Sequence, residues 1–484
     1  MAEISDDGVM SGRLLMIACT AALGGFLFGY DSSIINGAVD AVRDGFGLSA
    51  SGIGFTVSCA LLGAMAGAWY AGVCSDRFGR VKTMIIASAL LSISALGSGL
   101  AFGQWDLILW RFVGGIGVGF ASVIAPAYIA EVAPKDERGR LGTMQQMAIV
   151  SGIFVALLVS AIVARVAGGA AGTLWMGMEA WRWMFLSELI PAVLYGVLAL
   201  RLPESPRYLV EKDRISEARD ILETIVGVRR ARLDSKIAKI RETMKREDSK
   251  SFRDLTGGAF FFRPIVWVGI LIAVFQQLVG INVIFYYSTT LWQSVGFQES
   301  DSFMISVFSS VVNIVATIIA ILLIDRLGRK TLLLWGSALM TVSLGVMALA
   351  FNHAVVTADS VSLPAPWGPV ALVMANVFII GFGASWGPVM WVLLGEMFPN
   401  KIRGMALGVG GAANWLANFV VSTTFPVLAA IGLDLAYSLY AGFALISFFI
   451  VWKMVSETRG MSLEDMVEGK PSGHIPEAER VAGE

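Results

Sequence analysis

An acidic residue stands inside an apolar stretch near the start of the chain. Asp31 lies in the run from about residue 13 to about residue 36, and a carboxylate at the centre of a membrane helix costs about 2.5–3.5 kcal/mol on insertion scales. Burial favours the neutral acid and a nearby cation favours the carboxylate, so such a pair can bind and release a proton. Arg111 is the candidate cation and Glu188 a candidate third member of a proton-coupling group. The alternative is a static ion pair that only fixes helix packing.

Uncharged polar residues interrupt the seventh apolar segment, where Gln276, Gln277, Asn282 and Tyr286 follow one another closely. At 100° per residue, Gln276 and Asn282 point about 240° apart on a regular helix, so a shared face requires a bend. Gly280 lies between them and predicts that bend. Amides donate and accept hydrogen bonds without charge, which suits a neutral polar ligand. Alternatively, the amides only bond neighbouring helices.

Two charged motifs occur twice in the chain. Asp-Arg-Phe-Gly-Arg at 76–80 recurs as Asp-Arg-Leu-Gly-Arg at 325–329, and the loop at 131–138 recurs at 396–403. The recurrence indicates an internal repeat, and carboxylates and guanidiniums around a glycine turn can cluster at helix ends. We interpret the cluster as a gate on one face of the molecule; the alternative is that the charges only set topology. The candidate gating residues are Asp76, Arg80, Glu131, Arg138, Asp325, Arg329, Glu396 and Arg403.

The elements that position these residues follow from composition. The chain has 484 residues, of which 56% are hydrophobic and 15% charged, against about 45–50% and about 25% in soluble domains. So much apolar surface excludes a soluble enzyme, a disordered chain and a DNA-binding protein. Runs of about 20 apolar residues can cross a bilayer, and twelve such runs lie at about 13–36, 51–73, 81–103, 107–130, 142–165, 181–201, 264–290, 303–325, 330–352, 367–392, 402–428 and 434–455.

The twelve runs fall into two groups of six. We expect a first half at 1–201, a linker at 202–263, a second half at 264–455 and a tail at 456–484. The linker is charged, and its apolar residues recur at helical spacing, which predicts short amphipathic helices. Basic residues concentrate in alternate loops, so the positive-inside rule places these loops, the linker and both termini in the cytoplasm. The first dozen residues lack a basic region, and no signal peptide is expected.

Metals, cofactors and catalysis have little support in the sequence. Cys19, Cys59 and Cys74 lack ligand spacing, and the two histidines lie outside the apolar segments. We expect no metal, no cofactor, no catalytic residue and, at a net charge of −1, no nucleic-acid partner. The glycines at 114–119 are predicted to allow close helix packing, because no strand precedes them to form a nucleotide loop.

Taken together, the motifs resemble the sugar porter family of the major facilitator superfamily over about residues 13–465. The run at 29–38 is similar to bacterial proton-linked sugar symporters, especially actinobacterial glucose permeases. Two positions depart from the family: Ser456 stands where proline usually begins the last motif, and Val81 stands where a basic residue is usual. The other matching segments are Gly25–Asp31, Arg111–Gly119, Pro203–Arg207, Gln276–Asn282, Gly387-Pro388 with Trp391, and Asn414–Asn418.

This resemblance implies an all-α membrane protein with the major facilitator fold, twelve transmembrane helices in two six-helix halves with a cytoplasmic helical linker. It implies a monomeric secondary active transporter of the plasma membrane, which takes up a monosaccharide with a proton by alternating access. Glucose is the first expectation and other hexoses the next. By family position, the sugar-contacting residues are Gln146, Gln276, Gln277, Asn282, Asn313, Trp391, Asn414 and Trp415, with Phe28, Tyr286 and Tyr287 close by.

Other assignments stay open. In the family an acid at the Asp31 position marks proton symporters, and facilitators often carry a neutral residue there, so an uncoupled facilitator is the second reading. Xylose-type members carry an amide where this chain has Ile153, which disfavours xylose; a proton-coupled myo-inositol or pentose carrier is a further alternative. A sugar sensor is less favoured, because the tail after about Val455 is short.

Overall fold

The computed structural model describes residues 12–132, 138–225, 228, 230–248, 252–258, 261–356, 361–399 and 402–458. Within these residues, twelve helices are long and apolar enough to cross a membrane, as predicted, and we number them as spans in chain order. Spans 1 to 6 are Met16–Gly37, Ala50–Phe78, Arg80–Gly99, Gln104–Val132, Met144–Ala167 and Ala180–Ala199. Spans 7 to 12 are Pro264–Tyr286, Glu299–Ile324, Arg329–Asn352, Trp367–Met397, Arg403–Ile431 and Leu433–Met454.

Short elements connect the spans. A helix at Val39–Gly45 follows span 1, and another at Ser288–Ser294 follows span 7. The linker forms helices at Pro206–Glu211, Ile215–Thr224 and Leu233–Asp248, which bury apolar side chains such as Leu209 and Leu222 against one another. Two antiparallel strand pairs join Thr256–Gly258 to Phe261–Phe262 and Val355–Val356 to Val361–Ser362. Short 3-10 turns lie at Ile35–Gly37, Trp175–Gly177, Arg230–Arg232 and Phe252–Leu255.

Span 7 breaks where the sequence predicts a bend. One helix runs from Pro264 to Leu278 and a second from Ile281 to Tyr286. Between them Gly280 has φ 82°, a left-handed conformation that costs other residues about 1–2 kcal/mol. A Cβ at this position would also meet the Tyr440 ring at 2.8 Å. The break lets amides on both sides of Gly280 meet.

Span 10 contains a wider turn. The residues Phe382–Trp386 form a π-helix between helices at Trp367–Gly381 and Gly387–Met397. The Trp386 indole donates to Ser337 Oγ at 2.9 Å, and the Trp386 backbone carbonyl accepts from Gln276 Nε2 at 3.1 Å. The π turn therefore supplies a backbone acceptor to span 7, and such turns often mark functional sites.

Glycines allow spans 2 and 4 to pack at close range. An added Cβ at Gly115 would lie 2.0 Å from the backbone oxygen of Ala60, and one at Gly63 would lie 2.2 Å from that of Phe112. Small residues permit this approach between membrane helices. The packing role predicted for the glycines at 114–119 is confirmed.

The two ends of the bundle differ. We call the end with the loops between spans 2 and 3 and between spans 8 and 9 the basic face, and the other end the opposite face. Near the opposite face the halves are joined by hydrogen bonds: Ser58 Oγ lies 2.5 Å from Thr423 Oγ1, and the Ala170 amide donates to Glu299 Oε1 at 2.8 Å. The opposite face is therefore closed in this conformation.

Candidate functional site

A buried ion pair connects spans 1 and 4. Arg111 Nη1 donates to Asp31 Oδ1 at 2.8 Å and to the Asp31 backbone oxygen at 3.2 Å, and each side chain is only 2% exposed. Glu188, from span 6, is also buried and interacts electrostatically with Asp31 and Arg111, and its Oε1 has no hydrogen-bond partner within the described chain. One proton on the two carboxyls would leave the three-residue group without net charge. The structure thus brings together the three residues singled out for proton coupling.

Four amides from spans 7 and 11 form one network. Gln277 Nε2 donates to Gln276 Oε1 at 3.1 Å and to Asn414 Oδ1 at 3.2 Å. Across the break at Gly280, Asn282 Nδ2 donates to Gln277 Oε1 at 2.7 Å. Asn414 Nδ2 in turn donates to Gln276 Oε1 at 2.7 Å. The network presents both donors and acceptors without a formal charge, as a polyol ligand requires.

The remaining predicted sugar-contacting amides and Trp391 lie on spans 5, 8 and 10 and differ in exposure. Asn313 is buried on span 8, beside Gly383 of the π turn, and Gln146 is half-buried on span 5 of the other half. Trp391 is 42% exposed and faces Gly411 of span 11. The set is therefore spread across both halves, and the four amides of spans 7 and 11 are its connected part.

Aromatic rings line the boundary between the halves. The rings of Phe28 on span 1 and Trp415 on span 11 lie 5.3 Å apart. Tyr286 is buried and lines a small cavity together with Ser32 and Trp415. Tyr287 instead donates to the Ser422 carbonyl at 2.7 Å within its own half. Phe28, Trp415 and Tyr286 thus lie at the boundary between the halves, whereas Tyr287 packs within its own half.

The charged motifs form one cluster in each half at the basic face. Arg80 makes a two-pronged contact with Glu131, at 3.0 and 2.9 Å, and lies 3.4 Å from Asp76. Arg329 makes the matching contact with Glu396, at 3.1 and 2.8 Å. These paired hydrogen bonds are charge-assisted and geometrically specific. Each cluster joins spans of the same half.

Three gating candidates remain, and the structure describes the side chain of one of them. Arg403 donates to the Phe398 carbonyl from both Nε and Nη2, at 3.1 and 3.0 Å. The side chains of Arg138 and Asp325 lie outside the part of the chain that the structure describes. The gating function of the whole set stays a prediction.

Two glutamates that sequence reasoning did not single out complete these clusters. Glu204, just after span 6, accepts from the Arg80 backbone N–H at 2.9 Å. Glu457, just after span 12, accepts from the Arg329 backbone N–H at 2.8 Å and the Lys330 N–H at 3.0 Å. Burial raises the pKa of Glu204, and the backbone N–H groups oppose that shift. A signal was available, because each glutamate follows the sixth span of its half.

A contact at the opposite face was also missed by sequence reasoning. Thr289 donates from its hydroxyl to the Asn36 carbonyl at 2.7 Å and from its backbone N–H to Asn36 Oδ1 at 3.1 Å. Asp40 accepts from Thr290 Oγ1 at 2.9 Å and from Gln293 Nε2 at 3.3 Å. These bonds tie the end of span 1, and the helix that follows it, to the short helix after span 7. We call them the opposite-face latch.

Two helical halves with a polar site between them, a buried acid–base pair beside it and one closed face define a membrane carrier of the alternating-access type. The sequence profile described as "Sugar (and other) transporter" matches residues 17–469. The chain therefore belongs to the sugar transporter family, and its relatives are transporters.

Individual relatives agree with this assignment. A glucose transport protein of Synechocystis sp. is 51% identical over 455 residues, which cover 94% of this chain and 97% of that protein. The D-xylose-proton symporter of Escherichia coli is 35% identical, covering 94% of this chain and 95% of that protein.

Solved structures agree as well. The xylose transporter XylE from E. coli in its inward-open conformation has a TM-score of 0.79 at 34% identity, covering 94% of this chain and 99% of that one. Its partially occluded inward-open form has a TM-score of 0.80 at 33% identity, covering 93% and 100%. The predicted fold class and family are confirmed.

Proposed function

We propose that this protein is a secondary active transporter that takes up a monosaccharide together with a proton by alternating access. The buried group of Asp31, Arg111 and Glu188 carries the proposal, because it can hold one proton without net charge in the membrane interior. Two relatives, a glucose transport protein and a D-xylose-proton symporter, have functions of this class.

Glucose is the first choice of substrate. The glucose transport protein of Synechocystis shares 51% of its residues with this chain, and the D-xylose-proton symporter shares 35%. Ile153, half-buried on span 5, provides no hydrogen-bonding amide. By the family resemblance, xylose-type members carry an amide at this position. The amide network of spans 7 and 11 would bond the sugar hydroxyls, and Phe28, Trp391 and Trp415 would pack against its C–H faces. Other hexoses, myo-inositol and pentoses are the alternatives.

The proposed arrangement has the basic face in the cytoplasm, with both termini there, and the opposite face outside. The domain division 1–201, 202–263, 264–455 and 456–484 belongs to the same proposal, as does a monomeric assembly in the plasma membrane. On this orientation the described conformation is closed to the outside. Matched charged clusters at Arg80 and Arg329 would then act as the inner gate.

An uncoupled facilitator is the second candidate, and Asp31 argues against it. The test is uptake of labelled glucose and a panel of other sugars into vesicles containing the purified protein, with and without an inward proton gradient. One pH unit is about 1.36 kcal/mol, so one proton per sugar supports accumulation of up to about tenfold. Accumulation without dependence on the gradient, or none under it, would contradict symport.

The matched variants are Asp31→Asn and Asp106→Asn. Asp31→Asn removes the titratable acid and is expected to abolish uphill accumulation while leaving counterflow exchange. Asp106 bonds the Phe102 amide and the Trp110 indole away from the ion pair, so its substitution should leave coupling intact. Undiminished accumulation by Asp31→Asn would refute the assignment of the coupling residue.

A further inference from the structure

A small cavity lies where the proton group meets the second half. Its volume is about 10 Å³, and its lining includes Asp31, Ser32, Arg111, Tyr286 and Trp415. That volume is about the minimum that holds one water molecule. Because Tyr286 and Trp415 come from spans 7 and 11, both halves of the protein bound the cavity.

The groups around the cavity can hold a water. Asp31 uses Oδ1 for Arg111, while Arg111 Nε is buried with no hydrogen-bond partner in the part of the chain that the structure describes. The hydroxyl-bearing side chains of Tyr286 and of Ser32, the residue next to Asp31, line the same cavity. Buried waters make about three hydrogen bonds to such otherwise unsatisfied groups. A carboxylate, a guanidinium N–H and two hydroxyls provide them here.

Tyr286 also belongs to the element that carries part of the amide network. It ends the short helix Ile281–Tyr286, whose Asn282 donates to Gln277 across the break at Gly280. A ligand that rearranges the Asn282–Gln277 bond would therefore move the Tyr286 hydroxyl as well. A change at the amide network is therefore transmitted through this short helix to the cavity that the Tyr286 side chain lines.

The charged and titratable groups around Asp31 come from four spans. Arg111 faces it from span 4, Glu188 from span 6 and Cys59 from span 2, all in the first half. Tyr286 faces it from span 7. Among the described residues that face Asp31 in this way, Tyr286 is the one that belongs to the second half. It therefore moves relative to Asp31 when the second half moves.

We propose that one water in this cavity, together with the Ser32 and Tyr286 hydroxyls, connects the Asp31 carboxyl to the sugar-binding helix of the second half. Movement of that helix on sugar binding changes the hydrogen bonds available to Asp31 and so changes the proton affinity of its carboxyl. Ser32 is a positioning residue for coupling and does not itself contact the sugar. The inference rests on the proposed proton symport.

The decisive variant is Ser32→Ala, with Ser33→Ala as the matched control. Ser33 is the next residue, is fully buried, and its hydroxyl has no partner within the described chain. Both variants are measured in vesicles for sugar exchange without a gradient and for accumulation under a gradient of one pH unit. Ser32→Ala is expected to retain exchange within about twofold of wild type and to lower the accumulation ratio at least threefold. Ser33→Ala should retain both.

Further variants distinguish a loss of the proposed link from a loss of packing and from a failure of the proposed symport. Ser32→Thr keeps the hydroxyl and should restore accumulation, which loss of packing alone would not explain. Normal accumulation by Ser32→Ala, or an equal fall in exchange and accumulation, overturns the inference. Wild type and Asp31→Asn are run alongside. If wild type does not accumulate sugar under the gradient, the proposed symport itself fails, and if Asp31→Asn still accumulates sugar, Asp31 is not the coupling residue. If wild type accumulates sugar and Asp31→Asn does not, a normal Ser32→Ala defeats only the link. An experimental structure with no water in the cavity would also overturn it.

Discussion

The hydroxyl of Thr289 joins the two halves at the opposite face, and its removal is expected to open that face. Thr289 Oγ1 donates to the Asn36 carbonyl at 2.7 Å and lies 3.2 Å from Asn36 Oδ1. Both residues are buried, so water does not replace this bond while the face is closed. Thr289→Val keeps the shape of the side chain and removes the hydroxyl alone.

The size of the effect follows from this geometry. A hydrogen bond contributes about 0.5–1.5 kcal/mol net, and a buried acceptor left without a donor costs about 1–3 kcal/mol. In the open state water would satisfy the Asn36 carbonyl, so the loss acts on the closed state alone. The Thr289 backbone N–H still donates to Asn36 Oδ1 in the variant. We therefore expect a differential loss of about 1–2 kcal/mol, which changes the ratio of closed to open molecules by about 5- to 30-fold.

The assay is the labelling rate of a single cysteine by a membrane-impermeant maleimide. Ser58→Cys places the thiol at the contact between the halves, since Ser58 Oγ lies 2.5 Å from Thr423 Oγ1. The native thiols Cys19, Cys59 and Cys74 are replaced in all variants. Thr289→Val should then label about 5- to 30-fold faster than its parent when reagent is added from outside.

The control is the same substitution at Thr424. Its hydroxyl donates to the carbonyls of Val420 and Val421 on its own span, at 2.8 and 3.3 Å, so it carries no contact between the halves. Thr424→Val should label like the parent. A Thr289→Val rate within twofold of the parent, or an equal rise in the control, would refute the view that this bond keeps the face closed.

Three more outcomes are expected. Gln277→Ala leaves sugar hydroxyls unpaired at about 1–3 kcal/mol, so the calorimetric sugar Kd should rise roughly 5- to 150-fold; a change below twofold would contradict its place in the site. On the proposed gating role, in which the Arg80–Glu131 contact is stronger when the basic face is closed, Glu131→Gln should partly shift the population toward the state open at that face, with a larger shift when Glu396→Gln is added. Cysteine labelling from the cytoplasmic side measures this, and equal rates in all variants would leave these charges as topology signals only. Burial raises the pKa of Asp40 in the closed latch, although Arg43 opposes the shift. An exposed Asp40 in the open state binds its proton more weakly, so closure takes up a proton and a fall in external pH through the raised pKa should favour closure. Asp40→Asn should remove that pH dependence of external labelling, and an unchanged pH profile would exclude Asp40 as its source.

Much of the architecture could be predicted from local pattern. Span length follows from bilayer thickness, and the bend at Gly280 follows from two amides that a straight helix would hold on different faces. Asp31, Arg111 and Glu188 could be identified because an ionisable residue in an apolar segment is costly and needs a partner. Each of these features leaves a trace in the sequence, because the physical constraint determines which residue types can occur within a single segment.

The opposite-face latch could not be predicted in this way. Asn36 and Thr289 are ordinary residue types near span ends, and their bond depends on how two halves close, which no single segment encodes. The Arg80–Glu204 contact could have been predicted in part. The position of Glu204 after span 6 is matched by Glu457 after span 12, so the internal repeat carried a usable signal even though neither residue is unusual alone.

The placement of the latch also bears on how transport steps are coupled. Asp31 and Asn36 lie on one continuous stretch, span 1, whose 3-10 end carries Asn36. Asn282 and Thr289 lie on the two short helices that follow the break at Gly280. A movement of these short helices therefore alters the amide network and the latch together, and a movement of the end of span 1 alters the latch and the ion pair together. Because proteins switch between discrete packed arrangements rather than bending continuously, closure at the opposite face, sugar contact and the proton site are expected to change in one step.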